Sequence, residues 1–274
     1  MGVRHLAERD VTSVLRALNK DVIANCMVLA RVEALGVARN RLGAELWTND
    51  RPAQSLCFSG ANLIPLHGDP QAIRAFAERA ASQPRVCSSL VGAAELVLPM
   101  WEILSQHWGP AREVRARQPL LVLPGHPKVT PDPLVRRVRS NELDRYLSAA
   151  VAMFTEEVGI DPSQPDQGRS YRRRVQEIIA EGRAFARFED GEVVFKAEVG
   201  ARAAQVSQIQ GVWVHPERRG EGLGTRGTAA VAALIQATGQ HPTLYVNDFN
   251  TAARRAYDRV GFVQVRVFAT VLLH

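Results

Sequence analysis

The stretch Gln210–Gly224 reads QGVWVHPERRGEGLG and holds the residues whose spacing points most directly to chemistry. An apolar strand pattern ends on Val212 and Val214. Arg218, Arg219, Gly220, Glu221, Gly222, Leu223 and Gly224 follow, and then an amphipathic helix with Leu223, Gly227, Ala230, Val231, Leu234 and Ile235 on one side. A helix start leaves N–H groups unpaired and carries the positive end of the helix dipole. Glycines let backbone approach a phosphate closely, and successive N–H groups can form a nest around it. Arg218 and Arg219 add formal positive charge. The segment therefore reads as an anion site built on a strand–loop–helix turn.

Glycine spacing alone leaves several ligands open. Gly222-x-Gly224-x-x-Gly227 matches the dinucleotide fingerprint in letters, but no acid ends the next strand, Thr243–Val246, where a ribose partner belongs. No Gly-Lys-Ser/Thr is present, so a Walker A loop is excluded. A second constellation lies downstream: Leu244-Tyr245-Val246-Asn247 ends a strand, and Asn250, Ala253, Tyr257 and Gly261-Phe262 follow at fixed offsets. Together, Arg219-x-x-Gly222-x-Gly224 and Asn250-x-x-Ala253-x-x-x-Tyr257-x-x-x-Gly261-Phe262 resemble the GNAT superfamily of acyl-CoA-dependent N-acyltransferases. That resemblance covers about residues 133–274. The whole chain also resembles, more loosely, actinobacterial two-domain GNAT proteins whose N-terminal half is a domain of unknown function.

The resemblance implies specific roles. Backbone groups of Val212 and Val214 bond the pantetheine arm, and the N–H groups of Arg219, Gly220, Glu221, Gly222, Leu223, Gly224 and Thr225 hold the pyrophosphate, with Arg218 beside them. Asn247, Asn250 and Ala253 complete the cosubstrate contacts. Tyr257 lies near the sulfur, where a phenol can protonate the departing thiolate as a general acid. The implied reaction moves an acetyl group from acetyl-CoA to a primary amine by direct attack, with a strand-end N–H near Val214 steadying the oxyanion. The implied alternative is a non-catalytic acyl-CoA-binding sensor. GNAT proteins often place a glutamate on the strand before the loop; Val206-Ser207-Gln208-Ile209-Gln210 contains no acid. Proton removal then falls to water near Gln208, Asn247 or Ser207, or to Glu156 or Glu157 at a helix end, which also suit a cationic substrate.

These residues need elements to position them. The apolar parity of the strand shifts, with Ile209 on odd numbering and Val212 and Val214 on even; Gly211 lies at the change, as a β-bulge requires. A bulge there splays the strand from its neighbour. Upstream, Val11, Val14, Leu15, Leu18 and Val22 predict one helix from Asp10 to about Leu35. Strands are expected at 44–47, 55–58 and 62–66, and a helix after Asp69-Pro70. A strand at 85–91, a helix at 93–108 and a strand at 113–123 follow. In the second half, a strand at 134–138 leads to a helix ended by Gly159, then a helix at 168–181. Glu189-Asp190-Gly191 marks a hairpin between strands 183–188 and 193–199. The strand 204–214, helix 222–238, strand 243–246, helix 251–260 and strands over 262–273 complete the pattern. Both halves read helix, three strands, helix, strand, helix, strand.

Pro119, Pro124, Pro127, Pro131 and Pro133 sit around Gly125, a composition that sustains neither helix nor central strand. The expected organisation is a degenerate GNAT-like domain over 1–124, a linker over 125–132 and a GNAT domain over 133–274. The expected class is α/β (α+β), with tandem domains that each carry a mixed, mainly antiparallel sheet flanked by helices. The first half has no matching loop: Pro65-Leu66-His67-Gly68-Asp69-Pro70 offers one glycine, an acid and a proline. His67 and the Cys87-Ser88-Ser89 run read as core or turn residues, with no acid partner placed by the sequence.

The chain has 274 residues, 46% hydrophobic and 23% charged, enough for two domains with sizeable cores and unlike a disordered chain. No apolar run approaches the roughly 18 residues of a membrane span, and charges in MGVRHLAERDV exclude a signal-peptide core, so a cytoplasmic location is expected. Cys26, Cys57 and Cys87 show no metal or disulfide spacing, and no metal is expected. Net charge is +6, and of 34 basic residues all but Lys20, Lys128 and Lys196 are arginine. The arginines are scattered apart from Arg169, Arg172, Arg173 and Arg174, which fit a solvated helix face, so nucleic acid is not the expected partner. A monomer or homodimer is expected.

Overall fold

The computed structural model describes residues 2–203 and 205–274. It divides into two units. One comprises Met1–Leu121, Tyr245–Phe249 and Gln264–His274, and the other Val122–Leu244 and Asn250–Val263. Each is a mainly antiparallel sheet with flanking helices, the expected class.

In the first unit, Arg4–His5, Glu45–Thr48, Leu56–Ser59 and Asn62–His67 pair antiparallel in sequence order. The helix Pro70–Ala81 then leads to Ser89–Ala93, which runs parallel to Asn62–His67. Asp69 starts that helix as its sequence suggests: its carboxylate accepts from the Ala72 N–H at 2.8 Å, and Pro70 takes the first position. The long N-terminal helix expected from periodicity is broken. Helices span Val11–Leu18 and Cys26–Leu35, and Asn19–Asp21 forms a 3-10 turn. Here polar side chains compete for the backbone. Asn19 Nδ2 donates to the Leu15 carbonyl, Asn25 Nδ2 to the Leu18 carbonyl, and Asp21 accepts from the Ala24 N–H.

The second unit repeats the pairing scheme. Arg136–Arg137, Ala184–Glu189, Glu192–Ala203 and Val206–Val214 are antiparallel in order. The helix Leu223–Gln236 then leads to His241–Tyr245, parallel to Val206–Val214. Of the expected strand 204–214, residue Ala204 lies outside the described residues. Helices Leu143–Val158 and Arg169–Ala180 pack a core of Tyr146, Ala150, Met153, Val175, Ile178 and Trp213.

The closing strand differs from a division at the proline-rich segment. Val263–Leu272 is one strand, and its residues from Phe268 to Leu272 pair antiparallel with Ala93 to Ser89 of the first unit. Phe268, Ala269, Val271 and Leu273 are buried there. The apolar alternation marks this segment as a strand but carries no information about which edge it joins.

Candidate functional site

Three pieces of the second unit meet at one cleft of about 520 Å³: the end of the strand Val206–Val214, the loop Arg218–Gly222 with the start of helix Leu223–Gln236, and helix Thr251–Val260. The strand carries the bulge that parity predicts. Gln210 pairs with Glu198 and Trp213 with Lys196, so Gly211 and Val212 stand opposite Ala197 alone. Gly211 has φ +57, and a methyl group there would lie 3.1 Å from Met153 Cε and 3.2 Å from Lys196 Nζ. On the other edge, the parallel register with His241–Tyr245 runs from Val206 to Gln208 and stops well short of Val214. The strand end is thus free to line the cleft through Val212, Trp213 and Val214.

The loop supplies donors. Gly220 and Gly222 have φ +86 and +80, and a Cβ at Gly220 meets nothing within 4 Å. Gly222 is the N-cap of its helix and no side chain caps it, which leaves the first-turn N–H groups without a side-chain acceptor. Gly220, Gly222, Leu223, Gly224 and Thr225 line the cleft. Arg218 lines it as well, but its guanidinium is committed to Glu221 at 3.0 Å and to Glu189. These hydrogen bonds, that to Glu221 foremost, hold Arg218 even more firmly protonated. Glu221 is not among the residues that line the cleft, and its carboxylate is spent on Arg218. Arg219 reaches the other way: Nη2 donates to Glu156 Oε2 at 2.7 Å and Nε to the Val214 carbonyl at 3.2 Å. Trp213 Nε1 donates to the same Glu156 oxygen at 3.3 Å.

Helix Thr251–Val260 closes the far wall. Asn250 caps it, Oδ1 accepting from the Ala253 N–H at 3.1 Å, and both residues line the cleft. Tyr257 lines it too and is 7% exposed; burial, with the charge of Glu157 second, pushes its phenol well above the usual range. A neutral phenol is a hydrogen donor at neutral pH. Asn247 sits elsewhere, in the segment assigned to the first unit, where its Oδ1 accepts from Gln118 at 2.8 Å. Ser207 donates to Gln240 at 2.7 Å, and Gln208 is buried.

Sequence reasoning missed two features. Trp213, Ala252, Arg255, Ala256 and Arg259 also line the cleft; the offsets of Arg255 and Arg259 from Asn250 place them on that helix, and only the fold aims them. The second is a buried cluster under the bulge. Lys196 Nζ donates to Glu198 Oε1 at 2.8 Å, Tyr146 Oη donates to the same oxygen at 3.0 Å, and the ammonium stands 5.3 Å from the Tyr146 ring centroid. Burial pushes the Glu198 carboxyl up, but the Lys196 charge and the two hydrogen bonds outweigh it, leaving Glu198 below the usual range. Two charges at i and i+2 inside the apolar run Val193–Val199 were the available signal.

A larger cavity, about 830 Å³, lies in the first unit among Trp47, Leu63, Cys87 and Trp108. It offers no activated nucleophile. Burial pushes the Cys87 thiol up, and Arg39 at the rim is paired with Glu45 at 3.0 Å. His67 contacts the Pro52 carbonyl at 2.7 Å, and burial lowers its pKa. Among the described residues no helix is long and apolar enough to cross a membrane.

Residues 196–271 match the FR47-like protein family and residues 44–146 match a domain of unknown function, DUF4081. No curated protein matches the chain. Among solved structures, a GNAT-family acetyltransferase from Colwellia psychrerythraea aligns over 100% of both chains at 10% identity and a TM-score of 0.62. A GCN5-related N-acetyltransferase from Sphaerobacter thermophilus aligns over 98% of this chain and 93% of its own, at 15% identity and 0.57. A Drosophila protein aligns over 99% and 98%, at 15% identity and 0.69. The unit that holds the uncapped glycine loop thus carries the FR47-like match, and the fold along the whole length of the chain is the one seen in GNAT-family structures.

Proposed function

We propose that this protein is an acyl-CoA-dependent N-acetyltransferase whose site is the cleft of the second unit. The observation that carries the reading is the convergence on one cleft of a bulged strand end, an uncapped helix start and a buried tyrosine. The N–H groups from Gly220 to Thr225 suit a diphosphate, since they are donors held in place without a competing side chain. Val212, left unpaired by the bulge, suits an extended amide arm that adds alongside the strand. The cosubstrate supplies an electrophilic thioester carbonyl. Tyr257 then holds the proton that the departing thiolate takes. Glu156 is the acid in the cleft and serves the acceptor, either by taking the amine proton or by holding a cationic amine; Glu157 is close enough to influence Tyr257. Asn250 contributes by fixing the start of the helix that carries Tyr257.

The test is thermal unfolding with acetyl-CoA, CoA and NAD side by side. A ligand that binds only the folded state raises the midpoint. Acetyl-CoA and CoA are expected to raise it and NAD to leave it unchanged; a response to NAD without one to CoA overturns the reading. Thiol release in the presence of primary amines then separates an enzyme from a binding protein that transfers nothing.

A further inference from the structure

Arg219 is shared between two groups that matter separately for the proposed reaction. Its Nη2 holds the Glu156 carboxylate at 2.7 Å, while its Nε holds the carbonyl of Val214 at 3.2 Å. The first is the acid available to an acceptor, the second lies at the strand end beside which the pantetheine arm would run. Arg219 also opens the loop whose Gly220 and Gly222 line the cleft, and it lines the cleft itself. Its guanidinium therefore stands within one side chain's reach of three acceptors: a carboxylate, a carbonyl and the loop where a diphosphate would sit.

We infer that Glu156 and the diphosphate of the cosubstrate compete for the Arg219 guanidinium, so that cosubstrate loading releases Glu156 to bind a primary ammonium group on the acceptor. This rests on the proposed function and adds to it a coupling between the two sites, carried by the guanidinium they share.

The exchange is physically easy. The side chains of Arg219 and Glu156 are 46% and 52% exposed, so their ion pair is of the half-solvated kind that contributes little. A diphosphate carries more charge than one carboxylate and offers a guanidinium two-point contact. Glu156 does not fall away when Arg219 leaves. Trp213 Nε1 also donates to its Oε2, and the indole is 8% exposed and fixed in the core, so the carboxylate stays in the cleft. It then has lost its cation and retains its position, a state that favours a new cation. Linkage makes the coupling mutual: an ammonium on Glu156 frees Arg219 for phosphate by the same factor. Arg218, by contrast, is locked between Glu189 and Glu221 and takes no part.

The test uses the full chain and isothermal titration calorimetry on wild type and Glu156→Gln. Both charges of the pair are solvent-accessible, so the variant is expected to fold, and its unfolding midpoint checks this. Removing the competing carboxylate is expected to tighten CoA binding by about two- to five-fold, the worth of an exposed ion pair. Acetyl-pantetheine, which has no diphosphate, is expected to bind both proteins equally. Adding n-butylammonium chloride is expected to tighten CoA binding to wild type, relative to tetramethylammonium chloride at the same concentration, and to leave Glu156→Gln unaffected. CoA binding by wild type that is unchanged or weakened in Glu156→Gln overturns this inference alone. An equal response of both proteins to n-butylammonium, or none in wild type, removes the ammonium site. Absence of CoA binding in both proteins overturns the proposed function with it.

Discussion

Replacing Gly222 with aspartate tests the phosphate loop most directly, because the structure separates its effect on folding from its effect on binding. Gly222 has φ +80, a conformation that costs most L residues roughly 1–2 kcal/mol but that Asp and Asn tolerate better. Space is not limiting, since a Cβ there meets only Arg226 Nε, at 4.0 Å. Gly222 is also an N-cap without a side-chain acceptor, and an N-cap aspartate contributes about 1 kcal/mol of its own. The two effects oppose, so the variant is expected to fold with nearly unchanged stability. Binding suffers twice. The new carboxylate takes the first-turn N–H groups, and it would repel a diphosphate bound to them, for which a charge spacing of about 5 Å serves as an order of magnitude. At an effective dielectric near 40, between bulk water and a typical protein surface, each charge pair at that distance costs ~1.7 kcal/mol. Against two phosphate charges this is ~3 kcal/mol, a loss of CoA affinity of about 100-fold or more. Gly222→Asn blocks the same N–H groups without the charge and is expected to lose less, and the gap between the two variants should shrink in high salt. Calorimetry with CoA on both folded variants decides the matter. A Gly222→Asp protein that binds CoA as wild type does would refute the placement of the diphosphate at this helix start.

Three further perturbations address other parts of the molecule. Tyr257→Phe keeps a buried ring and removes one hydroxyl; acetyl-CoA affinity is expected to hold while turnover falls by roughly 10²–10⁴-fold in a thiol-release assay, whereas equal rates would remove Tyr257 from the mechanism. Lys196→Met leaves the buried Glu198 carboxylate without its ammonium and is expected to lose roughly 3–5 kcal/mol in urea unfolding; Lys196→Met with Glu198→Leu should recover most of that, and a silent single variant would contradict the burial described above. Glu142 is held at about 2 by a two-point bond to Arg136, with the Arg139 N–H adding to it. A depressed folded-state pKa gives stability that is present above the unfolded value and lost as pH falls through the folded one, so wild type is expected to lose stability between about pH 4.5 and 2 through this group. Glu142→Gln is expected to be less stable at neutral pH and to show a flatter acid limb.

What the sequence makes legible depends on whether the signal is local. The shift of parity around Gly211 locates a bulge because a strand's period of two leaves no other way to bring Ile209 and Val214 onto useful faces. Asp69-Pro70 and Asn250-x-x-Ala253 locate helix starts because capping is settled within four residues. The break in the first helix is local too, yet apolar periodicity outweighed it; Asn19, Asp21 and Asn25 each bond the nearby backbone, a preference visible in their type but not in the hydrophobic pattern. The partner of the last strand is a different matter. Val263–Leu272 would bury its alternating face against any sheet edge, and pairing with Ser89–Ala93 is decided by contacts far apart in the chain. The Lys196–Glu198–Tyr146 cluster fails for the same reason, since Tyr146 comes from a helix that no spacing rule ties to that strand. Arg218 shows the limit at a site: its charge is legible, but the two carboxylates that occupy it are not.

The two units make a comparison within one chain. Each runs through antiparallel pairs to one parallel pair, with a helix between the parallel strands. In both, the start of that helix is the place where backbone donors collect. They differ in how the donors are met. In the first unit Asp69 accepts from Ala72 and Pro70 has no N–H to give, so the helix start is closed by its own sequence. In the second, Gly222 caps without a side chain, and Leu223, Gly224 and Thr225 of the first turn line a cleft. A self-capped start is the more stable arrangement by about the worth of an N-cap. Leaving the second start uncapped forgoes that stability, and the loss is explained if an anionic ligand is the missing cap. The same reasoning accounts for Asp69 at the helix start of the first unit. The sheet and its helix need a cap at this position, and an aspartate meets that need as well as a phosphate would.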